Sequence, residues 1–141
     1  MVKNPNFCSN FAYMRKWGLI LLFLIANFTV LRATDLGGVI RMDKTVHDFG
    51  KIRIDDGAVS CDFNVTNIGE EKMSILTVVS TCGCTSVKWT RTSIEPGESG
   101  VISATYKNED GPFPFDKTLK VYFSNYSKPV VLHLKGVVKK K

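Results

Sequence analysis

The chain has 141 residues, 44% hydrophobic and 23% charged, with 19 Lys and Arg against 13 Asp and Glu for a formal net charge of +6. That length suits one domain with a short appendage and is too small for two. A nucleic-acid binder needs a basic stripe on its folded body, whereas acids and bases alternate here, so nucleic acid is set aside as a partner.

Residues 19–31 form an apolar run of 13 in which only Asn27 and Thr29 are polar. A helical membrane span needs ~20 apolar residues, and a run of ~10–14 fits a signal-peptide core better. Arg15 and Lys16 supply the positive flank, and Ala33 is a small residue at which cleavage before Thr34 is expected, with Leu31 at the −3 position. Residues 1–33 are therefore read as a signal peptide, which implies export to the periplasm or the cell exterior and no membrane span after cleavage. An uncleaved leader would instead anchor the protein. Met14-Arg15-Lys16-Trp17-Gly18 would itself begin a compact export signal, so Met14 is an alternative start. No cysteine follows the apolar core to serve a lipoprotein cleavage, and Cys8 is lost with the leader.

Removing residues 1–33 leaves 108 residues with 15 Lys and Arg against 13 Asp and Glu, so the charge falls to +2. Lys139, Lys140 and Lys141 account for that remainder and are expected as a basic tail. Residues 34–44 are read as an N-terminal extension and 45–138 as the domain. A chain of this size buries roughly two-thirds of its unfolded surface, enough to stand on one core without heavy cross-linking.

Beyond the leader, no segment keeps helical spacing of apolar residues over three turns; period-two alternation recurs instead. Strands are predicted at 45–50, 59–66, 73–79, 85–89, 100–107, 117–124 and 130–137. The second alternates Val59, Cys61, Phe63 and Val65 against Ser60, Asp62, Asn64 and Thr66. The last three place Ile102, Ala104 and Tyr106, then Leu119, Val121 and Phe123, then Val130, Leu132 and Leu134 on single faces. Turn formers separate the strands: Asp55-Asp56-Gly57, Asn67-Ile68-Gly69, Glu95-Pro96-Gly97, Asp110-Gly111-Pro112 and Ser127-Lys128-Pro129. Glycine supplies positive φ and proline pre-sets a turn angle, so each is a mechanism of reversal. About seven short strands at this spacing imply an all-β, antiparallel immunoglobulin-like β-sandwich, with a small barrel as the alternative. Cys61 lies on a core face of the second strand, but the sixth carries no cysteine to make an inter-sheet bridge.

Several phrases recur in a fixed order: His47-Asp48-Phe49-Gly50-Lys51-Ile52, Phe63, Thr66-Asn67-Ile68-Gly69, Thr81-Cys82-Gly83-Cys84-Thr85 and Trp89, then Ile94-Glu95-Pro96-Gly97-Glu98-Ser99-Gly100. Gly111-Pro112-Phe113, Lys117, Val121, Ser124-Asn125 and Leu132-His133-Leu134-Lys135-Gly136 complete the series. In this order the chain resembles the bacterial domain-of-unknown-function family numbered fifteen seventy-three, over residues 45–138. Ile68 departs from the small polar residue usual at that turn. The resemblance implies an immunoglobulin-like fold related to motile-sperm and pilus-chaperone sandwich domains. It also implies export, since the family is abundant in exported proteins of Bacteroidetes, and it brings no established activity.

Four readings of the cysteines stay open. Cys82 and Cys84 bond to each other across Gly83 in a very small ring suited to thiol exchange. Alternatively, one of them pairs with Cys61. In a third reading all three are reduced and pack as small apolar groups. In the last, Cys82 and Cys84 hold Cu(I), which is content with few soft ligands. Structural zinc wants four ligands, and nothing in the spacing brings His47 or His133 to the cysteines. His47 and Asp48 are neighbours on a strand and point to opposite faces, so they make no acid–base pair. No nucleophile elbow or glycine-rich phosphate loop is present. Asn64 and Asn125 fit the glycosylation triplet but read as ordinary strand-end residues. Phe113 and Phe115 flank Pro114 and either fold over one end of the sandwich or offer an apolar contact to a partner. The expectation is a non-catalytic exported domain, without a cofactor, that binds a protein partner or scaffolds in the cell envelope. The alternative is a thiol-redox or copper(I)-handling protein using Cys82 and Cys84.

Overall fold

The computed structural model describes residues 34–140, which form nine strands in two packed sheets. The expected leader, with Cys8, Met14 and Ala33, lies outside the described residues, as does Lys141. The strands are β1 (Thr34–Leu36), β2 (Ile40–Met42), β3 (Val46–Arg53), β4 (Val59–Asn67), β5 (Ile75–Ser80), β6 (Thr85–Trp89), β7 (Ser99–Tyr106), β8 (Pro114–Phe123) and β9 (Tyr126–Lys139). One sheet has the order β1-β2-β4-β7-β6 and the other β3-β9-β8-β5.

Alternation builds the core. In β4 and β7 the registers Cys61↔Ala104, Phe63↔Ile102 and Val65↔Gly100 put one buried set opposite another. In the second sheet Leu119 opposes Leu132 and Val121 opposes Val130, all buried. Period-two patterning gives each sheet one apolar face, and the two faces close on each other. Gly100 and Gly136 are needed where a neighbouring side chain lies across the strand. A Cβ on Gly100 would meet Ile94 Cδ1 at 2.6 Å, and one on Gly136 would meet the Phe115 ring at 2.8 Å.

Four features depart from the sequence expectation. Residues 34–44, read as an extension, contribute β1 and β2. β2 pairs with β4, and Ile40 and Met42 are fully buried, each adding about 1.5–3 kcal/mol of apolar burial. Three residues of alternation are too few to register as a strand signal, so pairing with β4 decides them. Secondly, all pairs are antiparallel except β3 with β9, which run parallel, with a bulge between Asp48 and Lys51. There Gly50 adopts φ 66° and its N–H donates to Asp48 Oδ1 at 2.7 Å.

Thirdly, the turn expected at 127–129 falls at Ser124 and Asn125, because Phe123 already pairs with Tyr126. Pro129 is tolerated in β9 because the ladder is irregular there, between the Phe123↔Tyr126 and Val121↔Val130 pairs, where a missing N–H costs no regular ladder bond. Finally, β9 extends through the expected tail as far as Lys139, which pairs with Arg53.

Candidate functional site

Residues 81–84 carry the chain from β5, an edge of one sheet, to β6, an edge of the other. Ser80 fixes the entry: its Oγ accepts the Cys82 N–H at 3.2 Å and donates to the Cys82 carbonyl at 2.8 Å. Thr81 ties the loop to β8 through its N–H and Oγ1, both on the Thr118 carbonyl at 3.2 Å. On the far side, the Thr85 N–H donates to the Cys82 carbonyl at 3.3 Å, and the Lys107 N–H to the Cys84 carbonyl at 2.9 Å.

This anchoring stands Cys82 and Cys84 with Cα atoms 5.2 Å apart and their sulfurs within bonding distance, inside the usual Cα range for a disulfide of about 4.4–6.8 Å. Both side chains are half-buried, and Gly83 between them is exposed. The Cys84 N–H donates to Cys82 Sγ at 3.0 Å. Among the described residues, Cys61 is the cysteine outside this pair. It lies buried in the main core opposite Ala104, and burial pushes its thiol up to about 11. Cys82 and Cys84 thus lie at disulfide distance from each other, as the first of the four cysteine readings requires, and Cys61 stands apart from them because β4 aims it between the sheets.

One end of the sandwich surrounds the pair. Cys84 packs against the cluster of Ile52, Tyr106, Phe115 and Val138. Tyr106 is fully buried and stacks on Phe115 with ring centroids 4.2 Å apart. Its hydroxyl donates to Asp110 Oδ2 at 3.2 Å, and Lys117 Nζ pairs with the same oxygen at 2.5 Å. Burial first, and then the Asp110 charge, push the Tyr106 hydroxyl up to about 12. Hydrogen bonding from Lys117 holds the Asp110 carboxyl below its ordinary value. A carboxylate oxygen of Asp110 and the sulfurs of Cys82 and Cys84 all lie within 4.8 Å of one another. These are the described residues whose donor atoms are grouped closely enough for a metal ion.

Asp110 is the site residue that sequence reasoning missed. Asp110-Gly111-Pro112 reads as a turn, and only the β7–β8 connection returns it to the cysteines. The two expected aromatics part company: Phe115 is buried over the sandwich end, whereas Phe113 is 64% exposed. The histidines also stay apart from the cysteines. His47 Nδ1 lies 3.3 Å from Lys44 Nζ, and His133 Nδ1 lies 2.8 Å from Asp116 Oδ1 on the outer face of the β3-β9-β8-β5 sheet. At the opposite end, a cleft of about 520 Å³ is lined by Gly38, Val39, Ile68, Gly69, Glu70, Glu71 and Asn125.

The sequence profile of a family described as protein of unknown function, DUF1573, matches residues 40–138. The chain belongs to this family. The match begins at Ile40, so the family domain includes β2 and its two core side chains. Among solved structures, a Porphyromonas gingivalis W83 protein of unknown function is similar with a TM-score of 0.62 at 18% identity, over 79% of this chain and 51% of that one. The Vibrio cholerae VesB protease is similar with a TM-score of 0.54 at 17% identity, over 89% and 35% of the two chains. The secreted serine protease VesC of the same organism gives 0.52 at 14% identity, over 85% and 26%. This chain thus spans about half of the first protein and roughly a third and a quarter of the proteases. At these identities the likeness is one of fold. No curated protein matches the chain with statistical significance. Among the described residues, no helix is long and apolar enough to cross a membrane.

Proposed function

We propose that the domain is a non-catalytic binding module of the cell envelope that takes an extended segment of a partner protein onto the free edge of β5. The observation that carries this reading is an edge without charge or proline that exposes apolar side chains. Sheet edges are normally blunted by brevity, bulges, lysine or proline, because an open row of N–H and C=O groups templates further pairing. β1 has only three residues, β3 is bulged at Gly50, and β6 carries Lys88. β5 reads Ile-Leu-Thr-Val-Val-Ser with no charge and no proline and pairs on one side only, with β8. Its ladder is irregular between Ile75 and Thr77, and Trp89 Nε1 donates to the Ile75 carbonyl at 3.2 Å, so the open segment of this edge is Thr77 to Ser80. Leu76 and Val79 stand 59% and 48% exposed on it. Addition of a strand to such an edge takes its affinity from main-chain bonds and its specificity from alternate side-chain contacts.

Export, on which the envelope assignment rests, is supported by the apolar leader at 19–31 with its Arg15-Lys16 flank. Val79→Lys supplies the gatekeeping charge that β5 lacks. The intact protein should recover a specific envelope protein that cross-links at β5, and the Val79→Lys variant should lose it with an unchanged melting temperature. Failure to recover any specific partner, or equal recovery by the variant, would sink the reading.

A further inference from the structure

We propose that Cys82 and Cys84 form a thiol–disulfide exchange site of fixed polarity, in which Cys82 bonds to a partner's cysteine and Cys84 closes the ring. This goes beyond strand binding at β5 and stands or falls separately. A bridge spanning Gly83 alone constrains little chain, so cross-linking does not account for it. It is also open to approach: Gly83 is exposed, and a Cβ built there would meet nothing within 4 Å.

The two sulfurs are not equivalent. Cys84 leans on the apolar cluster of Ile52, Tyr106, Phe115 and Val138, whereas Cys82 is not part of that packing. The Cys84 N–H points at Cys82 Sγ from 3.0 Å, and a donor of this kind favours the charged form of the sulfur it faces. Cys82 is therefore the better thiolate when the bridge is open, and Cys84 the better-sheltered resolving thiol. Asp110 and Lys117 are charged groups beside them, with the Tyr106 hydroxyl bonded to the same carboxylate. Asp110 alone would oppose a thiolate within 4.8 Å; the Lys117 ammonium on its Oδ2 offsets that charge. Lys117 is a positioning residue in this sense.

The reaction balances with a dithiol of a partner protein as reductant. One partner thiolate attacks Cys82 Sγ, the Cys82–Cys84 bond breaks, and Cys84 leaves with the electron pair and takes a proton from solvent. The partner's second thiolate then attacks its own sulfur in the mixed disulfide, releasing Cys82 as a thiolate that accepts the Cys84 N–H. Two electrons have moved: the partner ends as a disulfide and this protein as a dithiol. Run in reverse, the reduced pair opens a partner disulfide by attack from Cys82.

The test uses the full chain with glutathione disulfide as probe, following mixed-disulfide formation by mass and peptide mapping at neutral pH. Cys84→Ser keeps the residue-84 N–H and leaves Cys82 free; Cys82→Ser leaves Cys84 free. Cys84→Ser is expected to react about three- to fourfold faster than Cys82→Ser, the gain that about one unit of thiolate stabilisation leaves after the accompanying loss of nucleophilicity. Should either variant fail to fold, the wild-type protein opened with dithiothreitol and briefly alkylated must carry its first label on Cys82. Lys117→Met should slow the Cys82 reaction several-fold, and adding Asp110→Asn should restore it, a rescue that mere loss of packing would not give. Equal or reversed rates at the two cysteines, or a bridge that dithiothreitol cannot open in the folded protein, would overturn the proposal. A Lys117→Met defect that Asp110→Asn leaves in place would remove Lys117 from it.

Discussion

Phe115 and Cys61 show how single side chains set the packing and the chemistry of this core. Phe115 stacks on Tyr106, faces Phe49 at 6.4 Å and covers Gly136, where only a hydrogen leaves room for its ring. Phe115→Ala should therefore cost about 3–5 kcal/mol, as large-to-small changes at buried aromatics do, read as a shift in the denaturant midpoint at constant slope. Phe113, two residues away and exposed, should cost little when truncated. Sequence alternation was enough to aim Cys61 inward, yet silent on whether another cysteine reaches it. Because burial pushes that thiol up to about 11, almost none of it is thiolate at neutral pH, and the thiolate is the reactive form. Alkylation of the folded protein should spare Cys61 and label it only after denaturation; rapid native labelling would contradict the burial.

At the scale of the element, β8 and β9 carry an ion-pair ladder on their outer face. Asp116 meets His133 Nδ1 at 2.8 Å and Lys135 Nζ at 3.3 Å. The His133 hydrogen bond, then that of Lys135, holds the Asp116 carboxyl below its ordinary value. A carboxyl depressed in the folded state contributes stability above its unfolded value of about 3.9, and that contribution is lost as pH falls through the folded value. Wild-type and Asp116→Asn melting temperatures should therefore differ at pH 5 and converge in stronger acid. The side chain is 45% exposed, so the gap corresponds to less than about 1 kcal/mol. A gap that widens in acid would reverse the assignment. The loop between β5 and β6 also belongs at this scale. In the chain-entropy picture, closing three residues stabilises the fold by only about 1.6 kcal/mol against about 3 for a fifteen-residue loop. The sandwich accordingly rests on its core, as the absence of a second cysteine opposite Cys61 already implied.

For the whole molecule, stability comes from two alternating faces, and function from what lies at their margins. The strand spans were legible because burial on one face of a sheet forces period-two patterning, which Phe63, Ile102, Leu119 and Leu132 display without reference to any neighbour. The same locality hid β1 and β2, too short to show a period, and the parallel β3–β9 pair, whose members are separated by most of the domain. It misplaced the last turn as well, because Pro129 advertises a break that the irregular β8–β9 ladder absorbs. Cys82-Gly83-Cys84 was legible as a family signature and as a place where thiol chemistry could sit. Sequence alone thus determined the all-β class, the faces of the strands and the position of the cysteine pair, since each depends on neighbours in the chain. Only the tertiary structure decided that Cys82 and Cys84 stand at disulfide distance from each other, that Cys61 is enclosed between the sheets, and that Asp110 with its Lys117 partner stands beside the two sulfurs. Those three facts depend on distances across the sandwich, which local patterning does not encode.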